Sequence, residues 1–300
     1  MTGPVGLLAL DKPEGITSHG CVAAVRRAMN TRKVGHAGTL DPMATGVLLL
    51  GVGRATRVLG HLALNDKDYQ ATIRLGASTI TDDREGEFIE RADPAHLRAI
   101  ADSDVISGMR RLTGDIEQVP TSISAIKVDG KRAHALVRAG ESVELKARRV
   151  TVERFDVVGM RRADEWMDLD VNVTCSTGTY VRALARDLGA DLGVGGHLTA
   201  LRRTRVGAWS VADCVTMDDL QSSADPVSLL IDPSTLAERS FPCVQVSSDQ
   251  ATLIQNGRPL REVLATPVDM VTAVLGPDRC LLALVGPSSS GGAYLAVFVP

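Results

Sequence analysis

The stretch Gly35-His36-Ala37-Gly38-Thr39-Leu40-Asp41-Pro42-Met43-Ala44-Thr45-Gly46, running directly into Val47-Leu48-Leu49-Leu50, constrains this chain most. Its glycines permit backbone angles that a side chain would forbid. The Asp-Pro pair biases Asp41 away from helix and towards an extended or turn conformation. The apolar block then reads as a short buried strand. Asp41 is therefore expected on a shaped loop held against the core by the strand that follows. A carboxylate so placed is a turn-former or a catalyst, and the loop alone does not decide between them.

Charge narrows the classes of partner. The net charge of -3 gives no global positive field, but the distribution is uneven. Between Lys127 and Arg162 ten Lys or Arg face five Asp or Glu, whereas from Thr216 to Pro300 four face nine. Such a chain binds a polyanion on one face only. The five cysteines form no C-x-x-C pair and their odd number leaves a thiol over. That argues for a reducing compartment and against a zinc site. The histidines lack H-E-x-x-H spacing, and neither a signal core nor a membrane-length apolar run is visible. The cytoplasm is the default location.

Along the chain, Gly6 to Leu10 reads as a strand broken at Lys12-Pro13 and Gly15. Thr17 or Ser18 caps a helix whose apolar face uses Val22, Val25 and Met29. Arg26, Arg27, Arg32 and Lys33 lie on its polar side and exit, a solvated basic face unless the loop beyond them binds an anion. Gly51-Val52-Gly53-Arg54-Ala55-Thr56 carries Thr56 where a dinucleotide fingerprint needs its third glycine, and no phosphate-binding G-x-x-x-x-G-K-[ST] loop occurs. Arg54 to Leu64 is helical. Asp68 to Gly76 alternates as a half-buried strand with Tyr69 on the apolar face, a pattern that by itself favours a core tyrosine. Ser78 to Glu90 is polar and acidic and reads as a loop. Pro94 to Leu112 holds helices, Asp129-Gly130 a turn, and Val150 to Val158 and Trp166 to Cys175 strands.

After Cys175, one of Ser176, Thr177 or Thr179 caps a helix with the buried stripe Val181, Leu184, Ala185 and Leu188. Arg182 falls in the first turn, where a cation opposes the helix dipole. It is misplaced unless an anion lies nearby, and such local misfit hints at function. The bland alternative is a surface arginine paired with a structural carboxylate. Gly193 to Gly196 reads as a loop before His197, and a basic strand passes through Leu201-Arg202-Arg203. Residues 216–240 form a helical linker broken by Pro226 and Pro233, and 241–300 a compact all-β module of short apolar runs.

Taken together these stretches resemble the TruB family of pseudouridine synthases over nearly the whole length. The resemblance is carried by Lys12-Pro13-x-Gly15-x-Thr17-Ser18, by the Asp41 stretch, and by Lys67-Asp68-Tyr69 through Leu75-Gly76. Gln118-Val119-Pro120 with Ser124-Ala125-x-Lys127, Gly178-Thr179-Tyr180-x-Arg182 and Leu201-Arg202-Arg203 complete it. The sequence departs from the family at Thr121, where a second proline is usual, at Ile123, usually aromatic, and at His134, commonly tyrosine.

The resemblance implies an α+β fold: a mixed, largely antiparallel sheet flanked by helices, with a small C-terminal PUA-like β module. It divides the chain into a catalytic domain at 1–215, with a basic RNA-binding segment at about 118–162, then the linker and the module. It implies isomerisation of uridine to pseudouridine at position 55 in the T-loop of tRNA, with no cofactor, no metal and no obligatory protein partner. The base must be flipped out of its stack to react. Asp41 is then the catalytic carboxylate, attacking ribose or base or removing a ribose proton, Arg182 its counter-charge, and Tyr69 the ring that stacks on the uracil. His36, unless it merely stabilises the loop, enters or flanks the space the uridine leaves. Tyr180, Lys12, Gly38 and Thr39 line the substrate. Lys127, Arg132, Arg202 and Arg203, with Arg26, Arg27 and Lys33, are expected at phosphates, giving affinity rather than base choice. Two other readings share the scaffold, a non-catalytic tRNA-binding or tRNA-folding protein and a synthase directed by guide RNA.

Overall fold

The computed structural model describes residues 3–121, 127–128, 131–132, 145–264, 268–288 and 292–298. In chain order its strands are β1 (Gly6–Lys12), β2 (Val34–Ala37), β3 (Thr45–Val52), β4 (Lys67–Leu75), β5 (Ala77–Thr79) and β6 (Phe88–Arg91). There follow β7 (Gly114–Gln118), β8 (Lys127–Val128), β9 (Lys131–Arg132), β10 (Arg148–Arg162), β11 (Met167–Cys175), β12 (Gly196–Val206) and β13 (Trp209–Ser210). The last are β14 (Cys243–Gln245), β15 (Thr272–Leu275), β16 (Leu281–Gly286) and β17 (Ala293–Val297). By contact density the chain forms two units, one of residues 1–65 with 206–300 and one of residues 66–205.

In the first unit β3 pairs antiparallel with both β1 and β2, with Lys12 opposite Gly46 and His36 opposite Leu50. Both β1 and β3 are continuous apolar runs because both their faces are covered. One face, with Leu7, Ala9, Val47 and Leu49, packs on Val58, Leu62, Trp209, Leu236, Leu275 and Leu284. The other, with Leu8, Leu10, Leu48 and Leu50, packs on Cys21, Val22 and Val25 of the helix Ser18–Ala28. Thr17 caps that helix by accepting from the Gly20 amide at 2.9 Å. The unit therefore joins the two ends of the chain. Leu7 exchanges two main-chain bonds of 2.8 Å with Ile231, and Arg54 donates to the Phe298 carbonyl at 2.9 Å.

The C-terminal strands form a sheet in the order β14-β15-β16-β17, parallel between β14 and β15 and antiparallel otherwise. This segment also carries a helix, Ser248–Gln255, where sequence patterning suggested strands alone. Ser247 caps that helix and Gln250 bonds back to the Ser247 amide, so a capping box starts it.

In the second unit the order is β12-β4-β11-β10-β7, with antiparallel pairing between β4 and β11, β11 and β10, and β10 and β7. Lys67, Tyr69, Ala71, Ile73 and Leu75 are the buried positions of β4. The opposite face carries cross-strand pairs: Arg74 grips Asp168 through two bonds of 2.7 and 2.8 Å, and Thr72 donates to Asp170. Residues 78–90, which read as a loop, include a small antiparallel ladder of β5 and β6. The strand β12 begins at Gly196, inside the stretch that read as a loop. His197 Nδ1 lies 2.9 Å from the Ala77 carbonyl, and Leu198 donates to Asp82 O. Among the described residues no helix is long and apolar enough to cross a membrane.

Candidate active site

In the first unit Asp41 sits half-buried on the connection between β2 and β3. Gly38 (φ +83°) and Gly46 (φ +100°) frame the loop in a conformation costly for other residues. Within it Leu40, Met43 and Ala44 are buried and anchor the backbone on both sides of Asp41. Three bonds from the first motif then hold it. The Ser18 hydroxyl donates to the Leu40 carbonyl at 3.0 Å and accepts from the Leu40 amide at 2.8 Å. The Gly15 amide donates to the Pro42 carbonyl at 2.9 Å.

Lys12 completes this cradle. It is wholly buried at the end of β1, and its ammonium donates to the carbonyls of Pro13, Ile16 and Pro42 at 3.0, 2.7 and 3.2 Å. The sequence placed Lys12 against the substrate; the structure places its ammonium on the main chain beneath the loop. Ser18 likewise read as a possible cap, and its hydroxyl instead bridges to a residue 22 positions away. His36 is half-buried on β2, with its ring edge-on to His19 at 5.4 Å. Thr39 is exposed.

In the second unit Tyr180, Arg182 and Tyr69 are placed by separate devices. Tyr180 stands at the N-cap of the helix Val181–Asp191, and its side chain makes no capping bond. Nor do Ser176, Thr177 or Thr179 occupy that position. The Gln118 side chain does the work, accepting from the Tyr180 amide at 2.8 Å and donating to its carbonyl at 3.1 Å. The predicted stripe of Val181, Leu184, Ala185 and Leu188 is buried, and Arg182 and Ala183 are buried with it.

Arg182 is 5% exposed, and Asp83 lies 3.2 Å from its Nη1, which also donates to the Thr81 carbonyl at 2.9 Å. Here is a carboxylate that the helix position of Arg182 calls for. Sequence reading missed Asp83 because it lies in a polar, acidic stretch that looks solvated. In fact Asp83 is 2% exposed and Asp82 beside it is 8% exposed. Asp83 is fixed in turn: it accepts from the Thr81 hydroxyl at 2.5 Å and from the Glu85 amide at 3.0 Å.

Tyr69 is 8% exposed and pairs across the sheet with Val173. Next to it on the same buried face, Lys67 is pushed down to about 8 by burial and by the nearby Arg203 guanidinium. Asp68, pointing the other way, is gripped by Arg205 through bonds of 2.7 and 2.9 Å. The Arg205 bond holds the Asp68 carboxyl below the usual carboxylate range.

The expected phosphate contacts divide. Arg202 is half-exposed, whereas Arg203 is 1% exposed, because strand alternation puts Leu201 and Arg203 on the covered face of β12. Arg203 does not reach solvent. Lys127 and Arg132 are described only as strand backbone, paired with each other across β8 and β9; their side chains lie outside the described residues. Ile123 and His134, two of the three departures from the family pattern, lie outside them as well. Among the described residues no group of three or more His, Cys, Asp or Glu could hold a metal ion.

Comparison with known proteins gives one consistent family. The model of the TruB family pseudouridylate synthase N-terminal domain matches residues 26–181, and that of the tRNA pseudouridylate synthase B C-terminal domain matches residues 182–234. The tRNA pseudouridine synthase B of Cutibacterium acnes is 55% identical over 286 residues, spanning 94% of this chain and 93% of the relative. That of Corynebacterium efficiens is 53% identical over 302 residues, spanning 100% and 98%. That of Thermobifida fusca is 50% identical over 297 residues, spanning 98% of each. Among solved structures, a chain from a Cbf5-Nop10-Gar1 complex aligns with a TM-score of 0.70 at 24% identity, covering 98% of this chain and 84% of that one. The fold is therefore shared with that chain.

Proposed function

The chain belongs to the TruB family of pseudouridylate synthases and isomerises uridine to pseudouridine in tRNA, and on that premise we propose that it acts at position 55 of the T-loop through Asp41. The reaction breaks the bond between ribose C1′ and uracil N1 and forms one between C1′ and C5. The hydrogen on C5 leaves as a proton and N1 gains one, so atoms and electrons balance with no outside reagent. Asp41 acts ionised on the flipped nucleoside. Arg182 is its counter-charge by resemblance to the family, a role in which a guanidinium favours the ionised form of a carboxylate. Tyr69 stacks on the uracil and moves a proton after rejoining. His36 flanks the space left by the uridine and Tyr180 lines the pocket. Gly38 and Thr39 line the substrate.

One observation carries this reading: the Asp41 loop is tied by Lys12, Gly15 and Ser18, all from the motif that precedes it. A turn-forming aspartate needs no such cradle, whereas a catalytic carboxylate must hold its place to a fraction of an ångström. Tritium release from uracil C5 of an unmodified tRNA transcript tests it. Wild type is expected to release the label, and Asp41→Asn to lose about 10⁴-fold or more. Release that survives the substitution would remove Asp41 from the chemistry.

The RNA is a T-loop and its stem, recognised by folded shape. Lys127, Arg132 and Arg202 contact its phosphates, and Lys127→Ala with Arg132→Ala flattens the salt dependence of tRNA binding. Modification of bare transcript by the purified chain distinguishes this enzyme from one that needs a guide RNA or a protein partner.

A further inference from the structure

Arg182 and Arg186 stand one turn apart on the helix Val181–Asp191, a spacing that puts both on one face. They meet two consecutive carboxylates. Arg182 takes Asp83, as described, and Arg186 Nη1 lies 3.3 Å from Asp82 Oδ2. The same Asp82 oxygen accepts from the Thr121 hydroxyl at 2.9 Å, and Thr121 is wholly buried. Arg186 also donates to the Val119 carbonyl at 2.7 Å and to Asp187 at 2.8 Å. Asp82 holds the left-handed backbone conformation, with φ at +58°, which strains a residue with a side chain. Burial pushes its carboxyl up, against the pull of Arg186 and Thr121. The site thus maintains a strained, desolvated aspartate, and the substitution with glycine that would relieve the strain would delete the side chain.

We propose that Thr121, Asp82 and Arg186 form a positioning cluster that fixes the loop carrying Asp83, and so sets where the Arg182 guanidinium points. The inference rests on the reading of Arg182 as part of the catalytic apparatus. Its physical basis is that Asp82 and Asp83 share a peptide bond. A side-chain tether at Asp82 therefore fixes the origin of the Asp83 side chain. Thr121 enters because its hydroxyl fills a lone pair on Asp82 that faces away from water. The cluster also ties 119–121, the residues leading out of β7, to the helix that begins at Tyr180. Gln118, next to that stretch, is bonded to Tyr180 as well. A proline at 121 lacks the hydroxyl, so this tether belongs to this sequence and not to the pattern from which Thr121 departs.

The test is Thr121→Val, which keeps shape and removes the hydroxyl, alongside Thr121→Ser, which restores it, and Asp82→Gly, which keeps the backbone conformation and removes the carboxylate. Steady-state tritium release and tRNA binding are measured on each, with a urea unfolding midpoint as control for folding. Thr121→Val and Asp82→Gly are expected to lower kcat about tenfold while tRNA affinity stays within about twofold, and Thr121→Ser to recover kcat to within about twofold of wild type. A kcat for Thr121→Val equal to wild type, or a Ser variant as slow as the Val one, would overturn the proposal. So would a loss confined to tRNA affinity. An inactive wild type would instead undo the functional reading itself, so the two failures are distinguishable.

Discussion

Around Asp41 the chain is fixed by donors that reach main-chain carbonyls, Lys12 Nζ and Ser18 Oγ; around Arg182 it is fixed by carboxylates, Asp83 and Asp82. The first arrangement shapes a backbone and lets the loop carry whatever charge its own residue has. The second immobilises a cation by burying an anion against it. The two differ in how they fail. Losing a donor to a carbonyl leaves a neutral group short of one bond, whereas losing one member of a buried ion pair leaves a charge with no compensation.

The largest expected effect therefore lies in the second unit. Asp83→Ala removes the carboxylate from a pair whose side chains are only 6% and 3% exposed. It should cost about 3–5 kcal/mol by urea unfolding and abolish tritium release. Lys12→Met comes next, at about 1–3 kcal/mol, because three carbonyls lose a donor. An equal cost for the two would break the comparison. Ser18→Ala removes both bonds to Leu40 and should cost about 1–2 kcal/mol. Activity should fall in Ser18→Ala further than stability explains, because the Leu40 backbone adjoins Asp41. Asp68→Asn should cost no more than about 1 kcal/mol, since the pair with Arg205 is 24% and 34% exposed. Its folded carboxyl lies below the unfolded value, so the wild-type advantage holds above about pH 4 and disappears as pH falls through the folded value.

A slope rather than a loss is expected at His197. Burial lowers its pKa below the ordinary 6.5, and the residue is 2% exposed. The unfolded chain then binds a proton that the folded one refuses, so stability falls as pH drops below about 6.5. His197→Gln should flatten that slope between pH 7 and pH 5, seen in unfolding midpoints. An unchanged slope would show that His197 takes up its proton without opening the Ala77 contact.

Much of the first unit was legible. Leu7 to Leu10 and Val47 to Leu50 read as buried strands because both faces of β1 and β3 are covered, and such strands have no polar positions to confuse the pattern. Thr17 read as a cap because capping is local. The Asp41 loop was legible for the same reason: its glycines and Asp-Pro pair act on neighbouring residues. Residues 78–90 were misread for the opposite reason. Asp82 and Asp83 look solvated by composition, and the side chains of Thr121, Arg182 and Arg186 that meet their carboxylates lie 39 to 104 residues away. Lys12, Ser18 and Arg203 fall in the same class, polar residues whose role depends on where distant main chain or a covered strand face comes to lie.

The sequence by itself determined the buried strands β1 and β3, the Thr17 cap, the presentation of Asp41 and the family, since each depends on residue type and short spacing. Tertiary structure alone decided which polar residues point inward and what holds them. A buried charge is stable only beside its partner, and partners separated by dozens of residues meet only after the sheet has formed.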